Sequence, residues 1–316
     1  MPENRSSDFR TSIGGQALIE GILMRGPKKQ AIVCRTADGL VEKVDELRLI
    51  KDKYPILGVP FIRGCVTFLD SMVKGMQALT YSADLIPVEE QGEPDKLDKW
   101  IESHFSEEKA KKLIIGAAIV LGVLLSLFLF IFLPAFVVGL FKGLAGHYFV
   151  RNISEGVVRI IILLCYMKLC TLSPDVKRLF RYHGAEHKTI FCYEHGKELT
   201  VDKVRPESRF HPRCGTSFLL VVVVVSILVN SVVRADNTFV RMGCHLLLLP
   251  IVVGISYEIN LWCGKHDNAL SAALSAPGKW LQRITTSEPD DGMIECAIRA
   301  LQLVIPEESG SDVWGS

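Results

Sequence analysis

Leu113–Phe141, LIIGAAIVLGVLLSLFLFIFLPAFVVGLF, contains no charged residue. At 1.5 Å per residue a helix of this length outreaches the roughly 30 Å hydrocarbon core of a bilayer. The stretch therefore reads as a membrane span, and the rest of the chain is read outward from it. Immediately upstream stands the cationic cluster Lys109, Lys111 and Lys112, placed at a membrane edge. Downstream, Val157 to Leu172 is a shorter apolar run whose Arg159 and Lys168 are expected near its ends, snorkelling to the headgroups. Ser217 to Val233 and Met242 to Ile259 form a further pair joined by the turn Arg234 to Arg241. Four spans are expected. The bulk numbers agree, with 49% hydrophobic residues and a mean hydropathy of +0.28 in 316 residues. A net charge of +1 argues against nucleic acid as a partner, because phosphate affinity needs a clustered cationic surface.

Before the first span, Gly14 to Gly26 mixes strand-forming residues with glycines, and Ala37-Asp38-Gly39 separates two alternating segments, a hairpin signal. A small antiparallel β unit is expected there. Ile62, Cys65, Val66, Leu69, Val73, Met76 and Leu79 then recur at helical spacing, giving an amphipathic helix that packs on the β unit or lies on the membrane surface. Leu97, Trp100, Ile101 and Phe105 share another helical face. The fold class is thus a polytopic α-helical membrane protein with a small N-terminal α+β region. Its parts are 1–112 with the β unit and amphipathic helices, 113–172 and 217–259 as two helix pairs, 173–216 as a polar connection, and 260–316 as a tail. The tail ends in a helix with Ile294, Ala297, Ile298 and Leu301 on one face, expected to act as a soluble clasp. Lysine and arginine crowd the segment before Leu113 and the 173–216 connection, so the positive-inside rule places both termini and that connection in the cytoplasm. Residues 1–12 lack the apolar centre of a cleavable signal peptide. The nine cysteines are scattered without a Cys-x-x-Cys pair, which fits a reducing compartment better than a disulfide framework.

The polar connection concentrates the chemistry. It holds His183-Gly-Ala-Glu186-His187, and then His211-Pro-Arg-Cys214 at the mouth of the third span. In an H-x-x-E-H sequence on a helix the two histidines share a face, so both imidazoles can bind one zinc while the glutamate polarises a water. This is the spacing of the inverzincin peptidases, although Gly184 weakens the helix it requires. Glu258, at the cytoplasmic end of the fourth span, is the expected third ligand, because a lone carboxylate at that depth marks a function or a partner. His211 and Cys214 lie at the same level. Two other readings use the same residues. His183 and Glu186 can cap helices or pair with nearby arginines, and His183, His187, His211 and Cys214 can close a four-ligand structural zinc site. A nucleophilic Cys214 activated by His211 is a minor variant of the enzyme reading. His195 is expected to face solvent in a turn, His104, His147 and His245 lie elsewhere and are incidental, and Glu20 reads as a turn residue, with a contribution to the site as the alternative.

Several stretches together resemble a known family. Gly14 to Arg25, Tyr182 to Thr189, Ser208 to Phe218, Gly254 to Glu258 and Pro277 to Thr286 are similar to the YqhQ-like bacterial membrane proteins. The resemblance spans nearly the whole chain. It implies a cytoplasmic-membrane protein described only as a predicted metal-dependent enzyme, with its histidine-glutamate-histidine pattern falling on His183, Glu186 and His187 and its histidine-cysteine pair on His211 and Cys214. The expected activity is metal-assisted hydrolysis of a membrane-associated substrate, with Glu186 as general base, His183, His187 and Glu258 as ligands and zinc as the metal. The alternative is a membrane scaffold or assembly factor built on a structural metal site. A transporter ranks last, since the first and third expected spans carry no charge.

Overall fold

Four short strands follow one another in an antiparallel meander: β1 (Gly14–Leu18), β2 (Gly21–Arg25), β3 (Lys29–Thr36) and β4 (Gly39–Glu46). The expected Asp-Gly hairpin closes β3 on β4, with Thr36 opposite Gly39 and Gly39 at a φ of +122° that glycine adopts without strain. β2 is buried on both faces, which is why Gly21-Ile-Leu-Met24 reads as a continuous apolar run instead of an alternation. A computed structural model describes residues 9–47, 54–85, 107–141, 143, 147–266, 268–308 and 310–314. The Leu97 to Phe105 face and His104 lie outside the described residues.

The remaining elements are helical: α1 (Ile62–Asp84), α2 (Glu107–Leu127), α3 (Tyr148–Cys170), α4 (Pro174–Glu194), α5 (Gly215–Asn230), α6 (Thr238–Lys265), α7 (Ala269–Thr285) and α8 (Asp291–Gln302). The chain divides into two compact units. One takes in Met1–Leu85, Tyr166–Val225 and Pro250–Ser316, and the other Ile86–Cys165 and Ser226–Leu249.

In the first unit the sheet is the middle layer. Ile22, Met24, Ala31 and Val33 face Tyr182, Ala185 and Ile190 of α4 and Met293, Ile294, Ala297 and Leu301 of α8. Leu18, Leu23, Ile32 and Cys34 face Ala78 and Leu79 of α1. The clasp helix of the tail is therefore α8, with its four expected apolar residues buried. The 173–216 connection is largely ordered helix, because Pro174 fits the first turn and Tyr182, Ala185 and Ile190 give α4 a face to bury.

In the second unit, α2 continues through a π-helical turn, Phe128–Phe132, into Leu133–Gly139. Pro134 has no N–H to offer the carbonyl of Phe130, and the Arg159 guanidinium takes that acceptor at 2.7 Å while also donating to Ser226 Oγ at 2.9 Å. This corrects the placement of Arg159. α3 begins nine residues before Val157, so Arg159 sits in mid-helix and is buried, not snorkelling. Glu155, one turn earlier, pairs with Arg241 of α6 at 2.7 Å, both side chains 1% exposed.

Among the described residues, two helical segments are long and apolar enough to cross a membrane, Leu113–Gly139 and Thr238–Lys265, or three if α3 and α4, bent by 101° at their junction, count as one. α3 alone carries Arg151, Glu155, Arg159 and Lys168, and α5 has only 16 residues.

Candidate metal centre

α4 runs unbroken through Gly184. A Cβ there would overlap the Ser287 carbonyl, so the glycine that lowers helix propensity is required by the segment crossing α4 at that point. The crossing has a further consequence. The Ser287 N–H donates to the Phe180 carbonyl at 2.9 Å, and two residues earlier the Thr285 carbonyl accepts from His183 Nδ1 at 2.8 Å. His187 Nδ1 donates in the same way to the Arg209 carbonyl at 2.6 Å. A carbonyl can only accept, so both rings carry a proton on Nδ1 and turn Nε2 to the same side.

What lies on that side is Cys214. Its Sγ is 3.1 Å from His183 Nε2, and the ligand atoms of His183, His187 and Cys214 all lie within 4.8 Å of one another. His187 Nε2 is buried and has no hydrogen-bond partner among the described residues, an arrangement that is costly for an imidazole lone pair unless something fills it. Glu186, one residue before, is buried too. It accepts from the Gly15 backbone N–H, and its Oε2 has no partner among the described residues. A cavity of about 90 Å³ opens here, lined among others by Gly15, Glu186, His187, His211, Cys214 and Trp314. Gly15 admits the carboxyl group, since a Cβ would stand 3.0 Å from the Glu186 carboxyl carbon.

The electrostatics follow from burial and proximity. Burial opposes ionisation of Cys214, but the two imidazoles beside it outweigh this and hold its pKa well below the usual thiol value. Burial likewise works against protonation of His183, and the neighbouring thiolate overcomes it, raising the pKa. Burial pushes the Glu186 carboxyl up, with His183 and His187 opposing.

His211 stands apart from these three residues. Its Nδ1 accepts from the Arg213 N–H at 3.3 Å, which leaves Nε2 as the donor to Glu194 at 3.3 Å. Gln282 clamps its backbone on both sides, at 2.7 Å each. Burial keeps this imidazole neutral, with a pKa near 4. Glu258 is not brought to the cluster either. Both its oxygens are taken by the Arg63 guanidinium, at 2.8 and 2.5 Å, and Oε1 also accepts from the Phe61 N–H. The expectation of Glu258 as a ligand is corrected by this pairing with a residue 195 positions away. Glu20, the turn residue, accepts from Arg178 and from Tyr182 at 3.1 Å. His195 bonds Glu207 at a half-exposed position. The carbonyls of Thr285 and Arg209, which set the tautomers, carry no side-chain signal and were beyond reach of residue typing.

Comparison with known proteins adds membership. A family model described as a protein of unknown function (DUF1385) matches residues 59–307. The uncharacterized protein YqhQ of Bacillus subtilis (strain 168) is 32% identical over 306 residues, covering 95% of this chain and 94% of that protein. No solved structure matches. With the match extending over nearly the whole chain, this protein belongs to the YqhQ-like family of unknown function, DUF1385.

Proposed function

We propose that this protein is a multi-pass membrane enzyme that uses one divalent metal, zinc by its donor set, to hydrolyse a membrane-associated substrate at the cytoplasmic face. The observation that carries the reading is the pair of imidazoles with backbone-fixed tautomers, whose Nε2 atoms converge with the Cys214 sulfur beside a cavity. Two nitrogens and one thiolate suit zinc, and three protein ligands leave a fourth position open, as catalytic sites do. A metal held there would supply Lewis acidity and acidify a water at neutral pH. Glu186, with one oxygen anchored by Gly15 and the other unpartnered, is the group that accepts the proton. The closed four-ligand alternative loses support because His211 spends both ring nitrogens on Arg213 and Glu194.

Support for four crossings comes from connectivity. The sheet, α4 and α8 share one core, so they occupy one side of a membrane. The apolar segment Leu113–Gly139 lies between the sheet and α4, and Thr238–Lys265 lies between α4 and α8. A single crossing in either interval would put core partners on opposite sides. Each interval therefore needs a second crossing, and α3 and α5 are the helices available. The positive-inside rule then gives cytoplasmic termini.

The test is elemental analysis of detergent-purified protein beside a hydrolysis screen of ester, peptide and phosphoester substrates. Wild type is expected to hold close to one metal per chain, lost in His183→Ala, His187→Ala and Cys214→Ala and kept in His211→Ala and Glu258→Ala. Glu186→Gln should keep the metal and lose about 10²- to 10⁴-fold in rate. Metal-free wild type prepared without chelators would sink the metal centre, and full activity in Glu186→Gln would return the protein to the scaffold reading.

A further inference from the structure

α1 lies between the sheet and α6. Its inner face is small and close-fitting: Gly75 sits on Gln16, Ala78 on the sheet, and the Ser82 hydroxyl accepts from the Ile19 N–H. Its other contact is with the Pro250–Lys265 half of α6. A Cβ at Gly64 would stand 2.6 Å from Tyr257, one at Gly254 would stand 2.8 Å from the Phe61 carbonyl, and Cys65 Sγ donates to the Pro250 carbonyl at 3.1 Å. Small residues that bring two helix backbones together in this way are the packing device of membrane helices. Pro250 lies eight residues before Glu258 in the same helix, a rise of about 12 Å.

The exposed residues of this region are mostly apolar, with Thr67 and Gln77 as polar exceptions. Ile56 is 73% exposed, Leu69 61% and Val73 57%, and Phe61, Met72 and Met76 continue the same surface. A concentration of exposed apolar side chains of this kind marks an interaction site. The charges of the segment are neutralised locally. Arg63 is paired with Glu258, and Lys74 with Asp70 one turn before it at 2.8 Å. At the start of α1, Phe61 holds a left-handed φ of +67°, strained for a non-glycine residue, while its N–H donates to Glu258.

We infer that residues 55–76 are inserted in the bilayer as a helix and turn that enter from one side without crossing, with lipid acyl chains covering the exposed face. The inference rests on reading Thr238–Lys265 as a membrane span. Lipid is the occupant by continuity: residues 61–65, at the start of the helix, pack against a helix long and apolar enough to cross a membrane, and the charges of the segment are paired as a low-dielectric setting requires. Glu258, expected as a metal ligand, is on this reading the partner that lets Arg63 enter the interface.

The test uses wild-type protein in phosphatidylcholine and phosphatidylglycerol vesicles doped with a photoreactive phosphatidylcholine, with adducts mapped by mass spectrometry. Adducts on 56–76 are expected within about twofold of those on 113–139, and at least about tenfold above those on the β3–β4 hairpin, since an apolar helix face partitions into the acyl boundary. Adducts on 113–139 with none on 56–76 would overturn this inference alone. Absence from both would overturn the membrane reading beneath it.

Discussion

A single glycine shows how the centre is assembled. Gly184 stands between the two halves of the H-x-x-E-H sequence and allows the Ser287 backbone to lie against α4, which in turn brings the Thr285 carbonyl to His183. Gly184→Ala is a helix-favouring change by propensity, worth about 1 kcal/mol on an isolated helix. Here it should destabilise by roughly 1–3 kcal/mol through overpacking, and release the metal by freeing the His183 ring. Thermal unfolding in detergent with metal analysis checks this, and an alanine variant as stable as wild type would contradict the packing. The same position shows what residue typing reaches. Spacing four apart on a helix was enough to pair His183 with His187, and the histidine-cysteine pair was enough to bring Cys214 into view. Spacing was not enough to separate Cys214, which joins them, from His211, which does not. That distinction depends on where Glu194, Arg213 and Gln282 point, and on backbone carbonyls that sequence leaves blank.

At the level of elements, the junction between the β1–β2 turn and α4 is electrostatic. Glu20, at a φ of +51°, accepts from Arg178 and Tyr182. Burial by itself raises its pKa, but the Arg178 hydrogen bond and charge outweigh that and hold it below the usual carboxylate value. A carboxyl depressed in the folded state contributes stability that is present above its unfolded pKa and lost as pH falls through the folded one. Arg178 is 42% exposed, so solvent screening limits the contribution to about 1 kcal/mol. Wild type should therefore melt above Glu20→Gln at neutral pH, with the difference shrinking as pH falls below the ordinary glutamate value and lost as it passes through the depressed folded-state one. A difference unchanged across that range would mean that the charge does not carry the junction. Element reading from sequence succeeded where one property dominated, as in the uncharged Leu113–Phe141 run and the Asp38-Gly39 hairpin. It misplaced α3 because hydropathy began the helix at Val157, whereas Arg151, Asn152, Glu155 and Arg159 form its buried polar face. A window average counts such a seam as solvent-facing, since it cannot see Arg241 or the Phe130 carbonyl waiting across from it.

For the whole molecule, the two ends of the chain meet. Thr11 forms an antiparallel bridge with Val313, the Ser12 N–H donates to the Asp312 carbonyl at 2.6 Å, and the Trp314 N–H donates to the Arg10 carbonyl at 2.8 Å. The Thr11 hydroxyl and Tyr193 both reach Asp312 at 2.9 Å, which ties these ends to α4 and its ligands. Backbone hydrogen bonds cannot be made across a bilayer. Whatever the number of crossings, residues 10–12, residues 312–314 and the His183–His187–Cys214 cluster must then share one side, and on the proposed topology the lysine- and arginine-rich segments around them make that side the cytoplasm. Reporter fusions provide the measurement. A fluorescent protein that matures only in the cytoplasm should be active at either terminus and after Lys197, whereas a phosphatase that works only outside should be inactive at those sites and active within the turn between α5 and α6 and in the connection before α3. An active phosphatase at one terminus and an active fluorescent protein at the other would require an odd number of crossings. That is incompatible with the Thr11–Val313 bridge, and it would detach the tail from the core on which the metal centre depends.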